Sequence, residues 1–215
     1  MRNCPLSFLL ILLGFLISLN LAAQKNSYFN ELAKAVAEFN TATPNQDCTQ
    51  LINDLEQLSQ TNAGAKDWVP AYYLSLLYTR LSFNDKKNAD AHADKAVAWA
   101  NTSISLQTND ENYCAMTMAQ TGKLLVNPIL RWLSYEKKIF EPLEKAKKIN
   151  SNNPRIYILE ASVKMNMPAL FGGGCEKNKV ILVKARKLLE KQIPDQVLPT
   201  WGKQSLIDLK KACPF

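Results

Sequence analysis

The chain has 215 residues, 47% of them hydrophobic and 21% charged, with 5 Cys, a single His and a formal charge of +7. That apolar fraction is too high for a disordered chain, and 7 Gly with 10 Pro is too few for a fibrous or linker sequence. The length suits one domain, and a lone histidine removes most metal and acid–base constellations.

Residues 1–23 are unlike the rest. Arg2 precedes an apolar run from Leu6 to Leu19, and small residues follow at Ala22 and Ala23. This is the charged start, short apolar middle and small-residue end of a secretory signal peptide, with cleavage expected after Ala23. An uncleaved membrane anchor is the second reading, but Ser7, Gly14, Ser18 and Asn20 interrupt a stretch that would need ~20 apolar residues to span. Export to the periplasm or beyond is therefore expected. Removing the segment takes away only Arg2 among the charges, which leaves +6, and only Cys4 among the cysteines. Cys48, Cys114, Cys175 and Cys213 remain, and in an oxidising compartment four cysteines allow three pairings.

From Gln24 onward the apolar residues recur at helical spacing, with no sustained two-residue alternation. Phe29, Leu32, Ala33, Val36 and Phe39 form the first stripe, and Asn45–Ala63 carries the second. Trp68–Phe83 is apolar on more than one side, as a helix between neighbours must be. Ala89–Leu106, Glu111–Leu125, Ile129–Ile149, Asn153–Met167, Glu176–Lys191 and Lys203–Ala212 complete nine helices. Breaks fall at Thr43-Pro44, Asn127-Pro128, Asn153-Pro154, Pro168, Gly172–Gly174 and Pro194, where turn residues sit. The class is all-α.

Tyr73, Tyr113 and Tyr157 mark three similar helix openings 40 and 44 residues apart. Each opening begins a helix with an amphipathic partner, so the unit is a helical hairpin that buries its apolar face against the next. The string Ala71-Tyr72-Tyr73-Leu74-Ser75-Leu76-Leu77-Tyr78, the run Ala93–Leu106 and the stretch Ala146–Tyr157 resemble tetratricopeptide repeats. The units are longer than the usual ~34 residues, and Ser75 stands where the repeat usually has Gly. The resemblance implies an α–α superhelix of about four hairpins with a C-terminal capping helix. Asn153-Pro154-Arg155, Pro168–Gly174 and Pro199-Thr200-Trp201-Gly202 are also similar to exported bacterial repeat proteins of unassigned function. The Pro168–Gly174 stretch alone is similar to the repeat component of periplasmic tripartite (TRAP) transporters.

Candidate chemistry is sparse. Phe171-Gly172-Gly173-Gly174 before a helix could cradle an anion, but no Ser or Thr follows for Mg²⁺ and Glu176 would repel the anion, so a structural turn is expected. Asp90, His92 and Asp94 lie within five residues, yet on a helix His92 points away from the two carboxylates, so no metal site is expected. A last helix folded back antiparallel brings Cys175 and Cys213 together as the disulfide candidate, leaving Cys48 and Cys114 as buried thiols. Lys137, Lys138, Lys145, Lys147 and Lys148 alternate with Glu136, Glu141 and Glu144, which reads as a salt-bridged solvent face rather than a nucleic-acid surface. No nucleophile–base pair or catalytic motif occurs, so no enzymatic activity and no cofactor are expected.

The resemblance places the first helix of each hairpin on a concave groove, which assigns partner contacts to Tyr72, Leu76 and Arg80, to Asn112, Met116 and Gln120, and to Glu160 and Lys164. The expected function is an exported scaffold that holds a protein or peptide partner. The alternative is a transport accessory that binds a small solute in a pocket lined by residues such as Trp68, Tyr72, Met116 and Phe171. Nucleic acid is not an expected partner, and membrane contact is expected only if residues 1–23 stay attached.

Overall fold

Asp or Asn side chains cap the starts of four helices of this chain. The computed structural model describes residues 24–43, 46–167 and 173–215; the expected signal segment, Phe171 and Gly172 lie outside the described residues. Both Asn-Pro pairs are N-cap and first-turn residues. Asn127 accepts from the Leu130 N–H and Asn153 from the Arg155 N–H, while Pro128 and Pro154 need no hydrogen bond at their positions. Asp67 caps the helix at Trp68, and Asn109 caps the one at Asp110.

Nine α-helices result among the described residues, with no strand: α1 (24–41), α2 (Thr49–Gln60), α3 (Trp68–Asn84), α4 (Ala89–Leu106), α5 (Asp110–Val126), α6 (Pro128–Ile149), α7 (Pro154–Met165), α8 (Cys175–Leu189) and α9 (Lys203–Ala212). The second helix begins later than Asn45 because Asp47 accepts from the Thr49 N–H and hydroxyl. It ends before Ala63, where a single 3-10 turn, Gly64–Lys66, leads into α3. None of the described helices is long and apolar enough to cross a membrane.

Successive helices pair antiparallel as α1–α2, α3–α4, α5–α6 and α7–α8, with α9 added against α8 and α7. The first helices of the later hairpins also touch in a row, α3 on α5 and α5 on α7, so they form an inner layer. That position explains their sequences. α3 is buried from Trp68 to Thr79 and α7 from Pro154 to Ala161, with no polar face to spare. α4, in contrast, offers a narrow strip of Ala89, Ala93, Ala96, Ala100 and Ser103, which lets α3 and α5 approach closely. Tyr73, Tyr113 and Tyr157 fall in the first two turns of α3, α5 and α7.

The outer layer is tied by ions. Asp90 of α4 receives Arg131 of α6 through both Nη atoms at 2.7 and 2.6 Å, and Lys123 of α5 at 2.7 Å. Asp94 takes Lys123 as well, at 2.6 Å. At the far end, Cys175 and Cys213 form a disulfide that fixes the end of α9 to the start of α8. Cys48 and Cys114 are buried thiols.

Replacing both disulfide cysteines by Ser opens a loop with a sequence separation of 38. Denaturant unfolding is expected to register a loss of about 3–4 kcal/mol; an unchanged midpoint would mean that packing alone holds α9. The Asp90 cluster predicts a pH dependence. Hydrogen bonds from Arg131, then Lys123, hold the Asp90 carboxyl well below its ordinary value. A carboxyl depressed in the folded state stabilises above its unfolded value near ~3.9 and stops doing so as the pH falls toward its folded value. Asp90→Asn should therefore cost about 0.5–1 kcal/mol at neutral pH. The gap to the unaltered protein should close as unfolding is followed from about pH 5 to about pH 2.

Candidate functional site

The inner layer leaves one face uncovered, and the segment that enters α9 crosses it. Gly202 makes this crossing with φ +127°, and a Cβ there would lie 2.8 Å from Ile158 Cδ1 of α7. Only glycine takes that backbone angle and that approach without strain. The turn sets Trp201 down on α3, where its indole Nε1 donates to Tyr72 Oη at 2.6 Å.

Beneath Trp201 lies a buried polar network. Tyr72 Oη in turn donates to Glu111 Oε2 at 3.2 Å, and Arg155 Nε meets both Glu111 oxygens at 2.7 and 2.8 Å. Arg155 Nη1 also donates to the Trp201 carbonyl and to Gln192, each at 3.1 Å. Asn153 donates to Glu111 at 2.7 Å. Burial pushes the Glu111 carboxyl upward against the pull of Arg155. Burial and then Glu111 push the Tyr72 phenol well above its ordinary value, so it stays a neutral donor. For Arg155, burial acts to lower the value and Glu111 outweighs it.

Above this network, two adjoining cavities share Phe83, Met118, Trp201 and Ser205 as lining residues and so form one cleft. The first, about 590 Å³, lies between α3 and α9 and is bordered by Leu76, Arg80, Lys203, Gln204 and Asp208. Its Arg80 guanidinium rests 5.1 Å from the Phe39 ring centroid and reaches Cys48 Sγ at 3.7 Å. The second, about 390 Å³, lies between α5, α7 and the start of α6 and is almost wholly apolar, with Leu124, Leu125, Trp132, Leu159, Val163 and Met167. Outside its rim, Ile129 and Leu133 are each 91% exposed. An apolar corner of this kind on a protein surface marks a place of contact.

Of the residues that sequence assigned to a groove, Leu76 and Arg80 line this cleft, and Tyr72 lies under it as the support of Trp201. The other five border neither cavity. Asn112 is turned toward α4, where it bonds Ser103 and the Gln107 carbonyl, and Met116 is buried while Gln120 bonds its sulfur. Glu160 pairs with Lys147 of α6 and with Lys164. On α5 and α7, Asn112 and Glu160 face the second helix of the preceding hairpin, and the lining side is instead Met118, Thr121 and Leu125 on α5, with Ile158 and Ser162 on α7. Trp68 and Tyr72, expected together in a solute pocket, are core residues. Gly174 takes φ +94° at the entry to α8 with nothing within 4 Å of a Cβ there, in keeping with a turn. His92 pairs with Asp85 at 3.1 Å on α4, and no group of metal-ligating residues occurs among the described residues.

Sequential helical hairpins with an open apolar cleft along their first helices define the class. One solved structure is similar in detail. The HusA haemophore from Porphyromonas gingivalis superposes with a TM-score of 0.77 at 28% identity, over 87% of this chain and 92% of that one. No protein-family model matches the chain, the tetratricopeptide repeat included, and no curated protein sequence matches it.

The network makes two tyrosines of one helix behave differently. Tyr72→Phe removes the partner of the half-buried Trp201 N–H and the hydroxyl on Glu111, and is expected to cost about 1–3 kcal/mol and to alter the indole emission. Tyr73 Oη is buried with no hydrogen-bond partner. Tyr73→Phe should accordingly leave stability unchanged or raised in the same melts.

Proposed function

We propose that the chain is an exported, non-enzymatic haem-binding protein that holds the porphyrin in the cleft beside Trp201. The observation that carries this is the division of the cleft into two chemistries. One half is an apolar slot with Trp132, Trp201 and Phe83 on its walls, which suits a flat macrocycle. The other half places Arg80 and Lys203 beside it, which suits the two carboxylates that such a ligand carries. Both volumes lie within the roughly 300–1,000 Å³ of small-molecule sites. The thioethers of Met118 and Met167 line the apolar half and belong to the ligand types that iron porphyrins accept. No histidine is among its lining residues. The likeness to a haemophore supports the same reading. The apolar segment 6–19 and the disulfide support export, since disulfides persist in oxidising compartments.

A peptide-holding role is the second reading. The polar half of the cleft, with Asn40, Thr200 and Gln204, and the exposed Ile129, Leu130 and Leu133 at the start of α6 favour it.

Titration with haem tests the first reading directly. A saturable change in the porphyrin absorption band is expected, together with quenching of the cleft tryptophans. Arg80→Glu should weaken binding about tenfold or more, the loss of a charge-assisted hydrogen bond. Met118→Ala should shift the absorption band if sulfur reaches the iron. Haem that leaves both the band and the fluorescence unchanged would sink the proposal.

A further inference from the structure

The positive charge of this chain is not spread evenly. Residues 173–215 hold nine of the 26 Lys and Arg but four of the 19 Asp and Glu, a net +5 against +7 for the whole chain. Most of it lies on α8. Lys177, Lys184, Lys187 and Lys191 recur at spacings of seven, three and four residues, so they share one side of α8 and of the turn that extends it. All four are exposed, and Val180 stands among them at 77% exposure.

The neighbouring helix adds to this field. Lys184 lies 4.1 Å over the Tyr157 ring and 2.7 Å from its Oη, and Lys147 of α6 approaches the same ring at 5.9 Å. Lys148, next to Lys147 in the chain, is exposed. Among the described residues, no carboxylate stands within ion-pair distance of Lys148, Lys184, Lys187 or Lys191. Glu176 is taken by Lys179, and Glu190 is offset about a quarter turn from the stripe.

We propose that this outer face of α8 docks on an anionic phospholipid membrane. The stripe is built of lysines, whose ammonium groups act as point charges on flexible apolar stems. Arginine forks would serve carboxylates in a protein partner better. The one arginine of α8's last turn, Arg186, is turned onto the Phe215 ring at 5.7 Å. No aromatic residue stands in the stripe to stack nucleic-acid bases. Val180 among the lysines, and Ile193 at 83% exposure just beyond them, supply the apolar side chains that enter a headgroup layer. Fifteen helical residues give a contact line of about 22 Å. No residue of α8 lines the cleft beside Trp201, so the contact uses none of the cleft's lining residues. The contact needs no apolar segment from residues 1–23, and it stands whether or not the cleft holds haem.

Sedimentation of the full chain with lipid vesicles tests this. Binding is expected to phosphatidylcholine vesicles containing about a third phosphatidylglycerol, and to fall steeply with added salt. A lysine near such a surface contributes about fivefold, so Lys187→Gln with Lys191→Gln should lose about 25-fold while the thermal melt stays the same. Equal binding to pure phosphatidylcholine would assign the contact to the N-terminal apolar segment and overturn the proposal. So would anionic-vesicle binding that ignores the two substitutions, or capture by poly-glutamate or an oligonucleotide without capture by vesicles.

Discussion

The Arg155–Glu111 pair is the joint on which the inner layer turns. It links α7 to α5, and through Tyr72 and Trp201 it gathers α3 and the entry to α9 into one buried cluster. Such a pair is poor evidence of net stability, because two charges leave water to form it. Its weight lies in what happens if one member is lost, since an unpaired buried charge costs several kcal/mol. Here every member is also satisfied by neutral donors or acceptors: Asn153 and Tyr72 on the carboxylate, Gln192 and a main-chain carbonyl on the guanidinium. The cluster therefore selects one arrangement of four elements over looser alternatives that an apolar core would tolerate.

That selection builds the cleft. Trp201 is 129 residues from Tyr72 in the chain, yet its indole forms the wall common to both cavities. Three separate devices hold it there: the indole hydrogen bond, the left-handed Gly202 that aims α9, and the disulfide that returns the end of α9 to α8. A site on rigid elements held in this way keeps its shape without ligand, which suits capture of a flat and inflexible molecule.

Much of this was legible in the amino-acid order, and the rest was hidden for identifiable reasons. Helical periodicity and Asn-Pro caps locate the ends of α6 and α7 to within one or two residues, because both signals are local. The meeting of Cys175 with Cys213 needs only one added idea, a last helix that runs back on its neighbour. The groove residues required more. Leu76 and Arg80 border the cleft because α3 presents the face that repeat alignment assigns to it. On α5 and α7 the rotation is set by tertiary partners instead: Asn112 bonds α4 and Glu160 bonds α6, so the faces that carry them point away from the cleft. No local motif encodes that rotation. Trp201 lies in a short Pro- and Gly-flanked segment whose importance depends on a contact with α3 across most of the chain. Met118 reads from sequence as one more apolar position on a helix face.

The charge distribution, taken with the layers, separates two tasks. The cations beside the cleft are Arg80 and Lys203, and both lie on the inner side with few carboxylates nearby except Asp208. The larger positive field is on α8, no residue of which lines either cavity. A field of one sign raises the local concentration of anions whichever face it occupies, but it orients them only over about a Debye length, ~8 Å at physiological salt. The lysines of α8 are thus badly placed to steer a small anionic ligand into the cleft, because none of them lines either cavity. A broad surface answers their geometry better than a small solute does. The two proposed contacts, a flat ligand in the cleft and an extended anionic surface on α8, are compatible, since neither uses a residue of the other.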